Sequence, residues 1–136
     1  MATAAPTAQA KPPQTGIMPL VGAWHLASLE QPGPDGTLHK MQCPGLMTFT
    51  ADGHMAVQLM LPTGTSNAYA HGGYEASFGH ITLAPGQQSF TLHVDGALVR
   101  DLVGKDLPRA FRVTGTTLVI SSTRPDEHWR AVWKRD

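Results

Sequence analysis

From Pro19 onward, apolar and polar residues alternate in short runs, and a turn signal interrupts them roughly every ten residues, the pattern of an all-β sandwich or barrel. The runs are Gly22–Gln31, a weaker Thr37–Lys40, Gly45–Thr50, His54–Leu61, Tyr69–Phe78, His80–Ala84, Ser89–Val94, Arg109–Thr114, Thr117–Ser122 and His128–Lys134. Between them stand Pro34-Asp35-Gly36, Asp52-Gly53, Phe78-Gly79, Pro85-Gly86, Asp95-Gly96 and Thr114-Gly115, residues that supply the tight φ values of turns. Only Gly96–Gly104 departs from the pattern; it reads as a single helical turn or a crossover loop. With so many short connections, the simplest topology is an antiparallel up-and-down meander of about eight or nine strands, closed on itself so that no edge is left exposed.

The hairpin around Asp52-Gly53 shows how hydrophobicity selects a register. A two-residue loop would set Phe49 against Ala56 and mix the faces. A three-residue loop, Ala51-Asp52-Gly53 with a left-handed glycine, pairs Phe49 with Met55 and Met47 with Val57. One face then carries Met47, Phe49, Met55, Val57 and Leu59. Extending the alternation adds Trp24, Leu26, Tyr74, Phe78, Phe90, Leu92 and Val94 to the inward set. Further along it adds Phe111, Val113, Leu118, Ile120, Trp129, Ala131 and Trp133. His25, Thr91, His93, Arg112, Ser121, Arg130 and Lys134 fall on the outside.

Residues 1–18 are rich in Ala, Thr, Pro and Gln and carry almost no large apolar side chain before Ile17. Such a stretch is expected to form a flexible arm, ahead of a single barrel domain over 19–136. A docking role across the barrel mouth is the alternative.

Ten basic and ten acidic residues leave the chain with zero net charge. Nucleic-acid binding relies on a basic excess, and a membrane surface on a basic cluster; neither is present. Charged residues make up only 15% of the chain, so little repulsion separates copies and a homodimer is conceivable. A single cysteine, Cys43, allows no intramolecular disulfide. With no basic, apolar leader and no spanning run, the expected location is the cytoplasm.

Two segments carry a resemblance. Leu20-Val21-Gly22-Ala23-Trp24 opens the ordered part, and Thr50-Ala51-Asp52-Gly53-His54-Met55-Ala56-Val57-Gln58-Leu59-Met60 follows. Gly72-x-Tyr74-Glu75, His93-Val94-Asp95 followed by Gly104, and Phe111-Arg112-Val113-Thr114-Gly115-x-x-Leu118 extend it. Over residues 20 to 122 the sequence resembles the bacterial and fungal lipocalin-like domain family. The resemblance implies a small calycin-type barrel with an internal cavity. It also makes cofactor-free isomerisation or cyclisation possible, since some members occur with biosynthetic enzymes.

No side-chain pattern points to metal or covalent chemistry. The seven histidines show no His-x-His or His-x-x-x-His spacing, and no Gly-x-Ser-x-Gly or phosphate-binding glycine loop occurs. Cys43 reads as a partly buried free thiol. No metal and no cofactor are therefore assigned.

The candidate ligand-binding residues are Trp24, Met47, Phe49, Met55, Val57, Tyr74, Phe90, Leu92, Phe111, Trp129 and Trp133. Adaptable Met side chains beside aromatic rings suit a bulky apolar guest. Trp24 also reads as a plug at one barrel end, covered by the stem of Arg130 or Lys134. Tyr74 is expected inside, where its phenol would orient a ligand or, in an enzyme, donate a proton.

Three functions remain. The first is binding of an apolar or amphipathic small molecule in the cavity. The second is a cofactor-free cyclase or isomerase that works by positioning its substrate. The third is a structural or dimerisation module with a filled core.

Overall fold

In the computed structural model, residues 14, 16–84, 86 and 88–135 are described. They form ten strands: β1 (Gly22–Pro32), β2 (Leu38–Met41), β3 (Gly45–Phe49), β4 (His54–Met60), β5 (Ala70–His71), β6 (Tyr74–Leu83), β7 (Ser89–Ala97), β8 (Asp106–Thr114), β9 (Thr117–Ser122) and β10 (Arg130–Lys134). Eight of them, β1, β3, β4, β6, β7, β8, β9 and β10, follow one another around an antiparallel barrel in chain order. The seam closes where β10 pairs with β1, from His25 opposite Lys134 to Glu30 opposite Arg130. Strand β2 continues the edge of β1 where β3 leaves it, and β5 is a two-residue flap on β6.

The β3–β4 hairpin has the three-residue loop. Phe49 pairs with Met55 and Met47 with Val57, and Gly53 takes φ +93°. That φ is open to glycine and strained for a side chain, so the loop chemistry and the apolar face select the same register.

Two expected turns are absent. Phe78-Gly79 lies inside β6, which runs unbroken to Leu83, and Asp95-Gly96 lies inside β7. What the two glycines provide is a bulge: Phe78 pairs with Gly96 and Gly79 with Val94, leaving Asp95 as the extra residue. A Cβ on Gly79 would fall 1.9 Å from the His93 carbonyl oxygen, so only glycine permits the two strands to approach this closely. The Phe78 ring lies over Gly96 on the outer surface and covers the backbone there.

An unbroken β6 also corrects the parity of Tyr74 and Phe78. Ile81 and Leu83 are buried, and alternation from them sends Gly79, Ser77 and Glu75 inward. Phe78 is 57% exposed, and Tyr74 faces outward with its hydroxyl 3.4 Å from Gln58 Oε1.

One end of the barrel is filled. Trp24 is fully buried under the short 3-10 turn Met18–Leu20, and its indole N–H donates to the Leu20 carbonyl at 2.9 Å. Its cover is Arg135, not Arg130 or Lys134. The Arg135 guanidinium stacks 3.9 Å above the ring and donates to the Val21 carbonyl at 2.8 Å. Phe49 and Phe90 meet edge to face at 5.8 Å in the same layer, and Phe111 tilts against Phe90 at 5.7 Å.

Most of the expected N-terminal arm, residues 1–13 and 15, lies outside the described residues. The rest packs ahead of Pro19: Ile17 is fully buried, and Gln14 donates to the Ile81 carbonyl and accepts from the Leu83 N–H. The Gly96–Gly104 segment carries one 3-10 turn, Arg100–Leu102, whose Leu102 is buried.

Candidate functional site

Opposite the filled end, the barrel opens into a cavity of about 410 Å³. Its lower wall is apolar. Met47 comes from β3, Met55, Val57 and Leu59 from β4, Leu92 from β7, Ile120 from β9, and Ala131 and Trp133 from β10. Each is the inward member of an alternating pair, so the pleat alone delivers them to one space. The mouth is built from connections: Asn67–Tyr69 before β5, Asp126–Trp129 before β10, and Gln31 and Pro32 at the end of β1.

Four polar groups converge between wall and mouth. Arg109 on β8 is only 8% exposed. It shares the parity of Phe111 and Val113, so the twist of β8 carries a guanidinium inside. Its cation lies 4.8 Å from the Trp129 ring centroid and 5.4 Å from that of Tyr69. Aromatic faces of this kind stabilise a desolvated cation.

Glu127 sits beyond those two rings. It accepts from the Tyr69 hydroxyl at 2.7 Å and from the Trp129 indole N–H at 2.6 Å. Burial by itself would raise the Glu127 pKa, yet the bonds from Trp129 and Tyr69, helped by Arg109, hold it below the usual carboxylate value. Tyr69 moves the other way: burial, then its bond to Glu127, raises the phenol.

Glu75 on β6 is the fourth group. Burial among the apolar wall pushes its pKa up to about 7, against the opposing pull of Arg109. Nearby, burial and then the charge of Glu75 raise the half-buried Cys43 thiol.

Of the eleven residues picked from sequence, Met47, Met55, Val57, Leu92, Trp129 and Trp133 line this cavity. Trp24, Phe49, Phe90 and Phe111 do not; they belong to the filled end. Tyr74 lies outside, so it reaches neither ligand nor reacting atom in the cavity. Arg109, Glu75, Tyr69 and Glu127 were missed. The first two had a signal in strand parity, and the last two, in connections, had none.

Elsewhere, His80 and His93 stack at 4.8 Å on the outer surface, each against its own aspartate, Asp95 and Asp106. Among the described residues no three His, Cys, Asp or Glu side chains are grouped to hold a metal.

The sequence profile of the lipocalin-like domain family matches residues 21–135. The chain belongs to that family. The lipocalin-like barrel is also similar to solved structures. A lipocalin-like protein from Bacteroides uniformis is 14% identical, with a TM-score of 0.54 over 87% of this chain and 99% of that one. An uncharacterized protein from Bacteroides eggerthii is 14% identical, with a TM-score of 0.53 over 86% of this chain and 99% of that one. At such identity the likeness is one of fold. No curated protein matches the sequence. Among the described residues no helix of this lipocalin-like barrel is long and apolar enough to cross a membrane.

Proposed function

We propose that this lipocalin-like barrel binds an amphipathic small molecule, with the apolar body against Met47, Met55, Leu92 and Trp133 and the polar end at the mouth. The observation that carries this reading is the division of the cavity. Its lower wall is apolar and ends at the Trp24 layer, while Asp126, Glu127, Tyr69 and Trp129 stand in the connections at the opening, with Arg109 and Glu75 between. A volume of about 410 Å³ falls within the range of ~300–1,000 Å³ typical of small-molecule sites. It also argues against a filled-core module.

Titration with the uncharged dye Nile red tests the proposal. Saturable one-to-one binding with a blue-shifted emission is expected, and Val57→Phe, which narrows the cavity, is expected to weaken it at least about tenfold. Binding that is absent, or indifferent to Val57→Phe, would overturn it.

One observation favours catalysis as a second reading. A carboxyl that titrates near neutrality inside an apolar cavity, with a guanidinium close by, is suited to moving a proton in a cofactor-free isomerisation or cyclisation. Glu75 takes the role first given to Tyr74. Incubation with a metabolite extract, profiled by mass spectrometry, checks this: an isomer of equal mass must accumulate with the native protein and fail to do so with Glu75→Gln.

A further inference from the structure

We propose that the polar wall of the cavity is a carboxylate-recognition site, in which Arg109 takes the head group of a medium-chain monocarboxylic acid and the Glu75 carboxyl borders the same head group. The inference rests on the cavity-binding reading and names the ligand class.

Arg109 carries the argument. A buried guanidinium ordinarily sits in a matched ion pair, because desolvating a lone charge is costly. Among the described residues no carboxylate lies within ion-pair distance of Arg109. Its one hydrogen bond there runs to the carbonyl of its own neighbour, Pro108, at 3.1 Å. A guanidinium has five N–H donors in a planar fork. Tyr69 and Trp129 offer it ring faces, and the Tyr69 hydroxyl also lies near enough to draw on one donor, which leaves most of the fork without a partner. Glu127, which feels the Arg109 charge, is already held by the Tyr69 hydroxyl and the Trp129 indole. The fork is thus matched to an incoming planar carboxylate, the partner that guanidinium binds with two parallel bonds.

Glu75 completes the site. Among the described residues its carboxyl accepts no hydrogen bond from a side chain, and it lines the same cavity as Arg109, near enough to feel that charge. The charged or titratable groups that share its cavity or act on it are Arg109, Tyr69, Asp126, Glu127, His128 and Cys43. With a pKa of about 7, Glu75 is half protonated at neutrality, and an arriving anion raises that fraction. A protonated carboxyl donates one hydrogen bond, so one of the ligand's oxygens gains a further partner beside the fork. The lower wall, with Met47, Met55, Leu92 and Trp133, is apolar and fits a hydrocarbon chain. One unpaired cation selects a monoanion; an alkylammonium would be repelled.

Isothermal titration of the full chain at pH 7 with decanoate, decanol and decyltrimethylammonium tests this. Decanoate is expected to bind at least about tenfold tighter than decanol, the increment of a charge-assisted hydrogen bond, with the cation weakest. Repetition in buffers of different ionisation enthalpy is expected to reveal uptake of a fraction of a proton per decanoate. Glu75→Gln, which keeps a donor, should bind decanoate without that uptake. Arg109→Met, with its fold checked by circular dichroism, should bring decanoate down to the affinity of decanol. Equal affinities for decanoate and decanol in the native protein overturn the carboxylate site and leave cavity binding standing. If none of the three probes binds, the cavity reading falls with it. Preference retained in Arg109→Met removes Arg109 from the site. Should Arg109→Met fail to fold, the ligand ranking of the native protein and the proton count in Glu75→Gln decide the matter.

Discussion

Single side chains in this barrel take opposite consequences from burial. For Glu75 burial is a cost that grows with pH. Its folded pKa, about 7, lies above the ordinary value of 4.5, so the folded state holds its proton more tightly than the unfolded chain does. Stability contributed by the neutral acid is therefore complete below pH 4.5 and is lost as pH rises through 7. Glu75→Gln should melt close to the native protein at pH 4.5 and above it at pH 8.5, by on the order of 2 kcal/mol, as thermal or urea unfolding at the two pH values would reveal. Trp24 illustrates the reverse, a polar atom fully satisfied by its surroundings. Trp24→Phe keeps a ring under Arg135 but leaves the Leu20 carbonyl without its indole donor, and an unpaired buried acceptor costs ~1–3 kcal/mol. Urea denaturation should register that loss, with the cavity residues unaffected.

At the scale of strands, the alternation of apolar residues was a good guide wherever a strand was correctly bounded. The β3–β4 hairpin is the clear case, since loop glycine and apolar face agree on one register. Where a glycine was read as a stop, the reading failed. Taking Phe78-Gly79 as a turn severs Tyr74 from Ile81 and Leu83, so the alternation over Tyr69–Phe78 is anchored on its own aromatic residues and turns them inward. Continuity would have turned Glu75 inward by counting. Arg109 is equally countable, two residues before Phe111 on the same strand. Tyr69 and Glu127 lie in connections, where no period exists to be counted. The Gly79 bulge also invites a test of its own. Gly79→Ala would drive a methyl group into the His93 carbonyl and part β6 from β7, at a cost of about 3 kcal/mol, measurable by urea denaturation.

Across the whole molecule the two ends of the barrel differ in how they are held. The filled end joins Ile17, Leu20, Trp24, Phe49 and Phe90 into one packed layer, with Arg135 bonded across it. The mouth depends on loops and a short polar cluster. Hydrogen exchange should follow this division, with the slowest amides in β1, β3 and β9 beside the Trp24 layer and fast exchange in Pro62–Asn67 and Thr123–His128. Ile17→Ala removes a fully buried side chain from the layer and should cost ~2–5 kcal/mol while accelerating exchange at the filled end first.

The seam between β1 and β10 has a further consequence, for the order in which the protein is made. Of the described strands β1 leaves the ribosome first, yet its partner along His25–Glu30, β10, is the last of them to emerge. Every other barrel pairing joins strands that follow one another closely in synthesis, so the sheet can grow as the chain lengthens. Closure alone must wait. Until Arg130–Lys134 and Arg135 are free of the exit tunnel, the nascent sheet keeps two open edges and Trp24 lacks its guanidinium cover, and that interval is when the chain is most exposed to pairing with a neighbour.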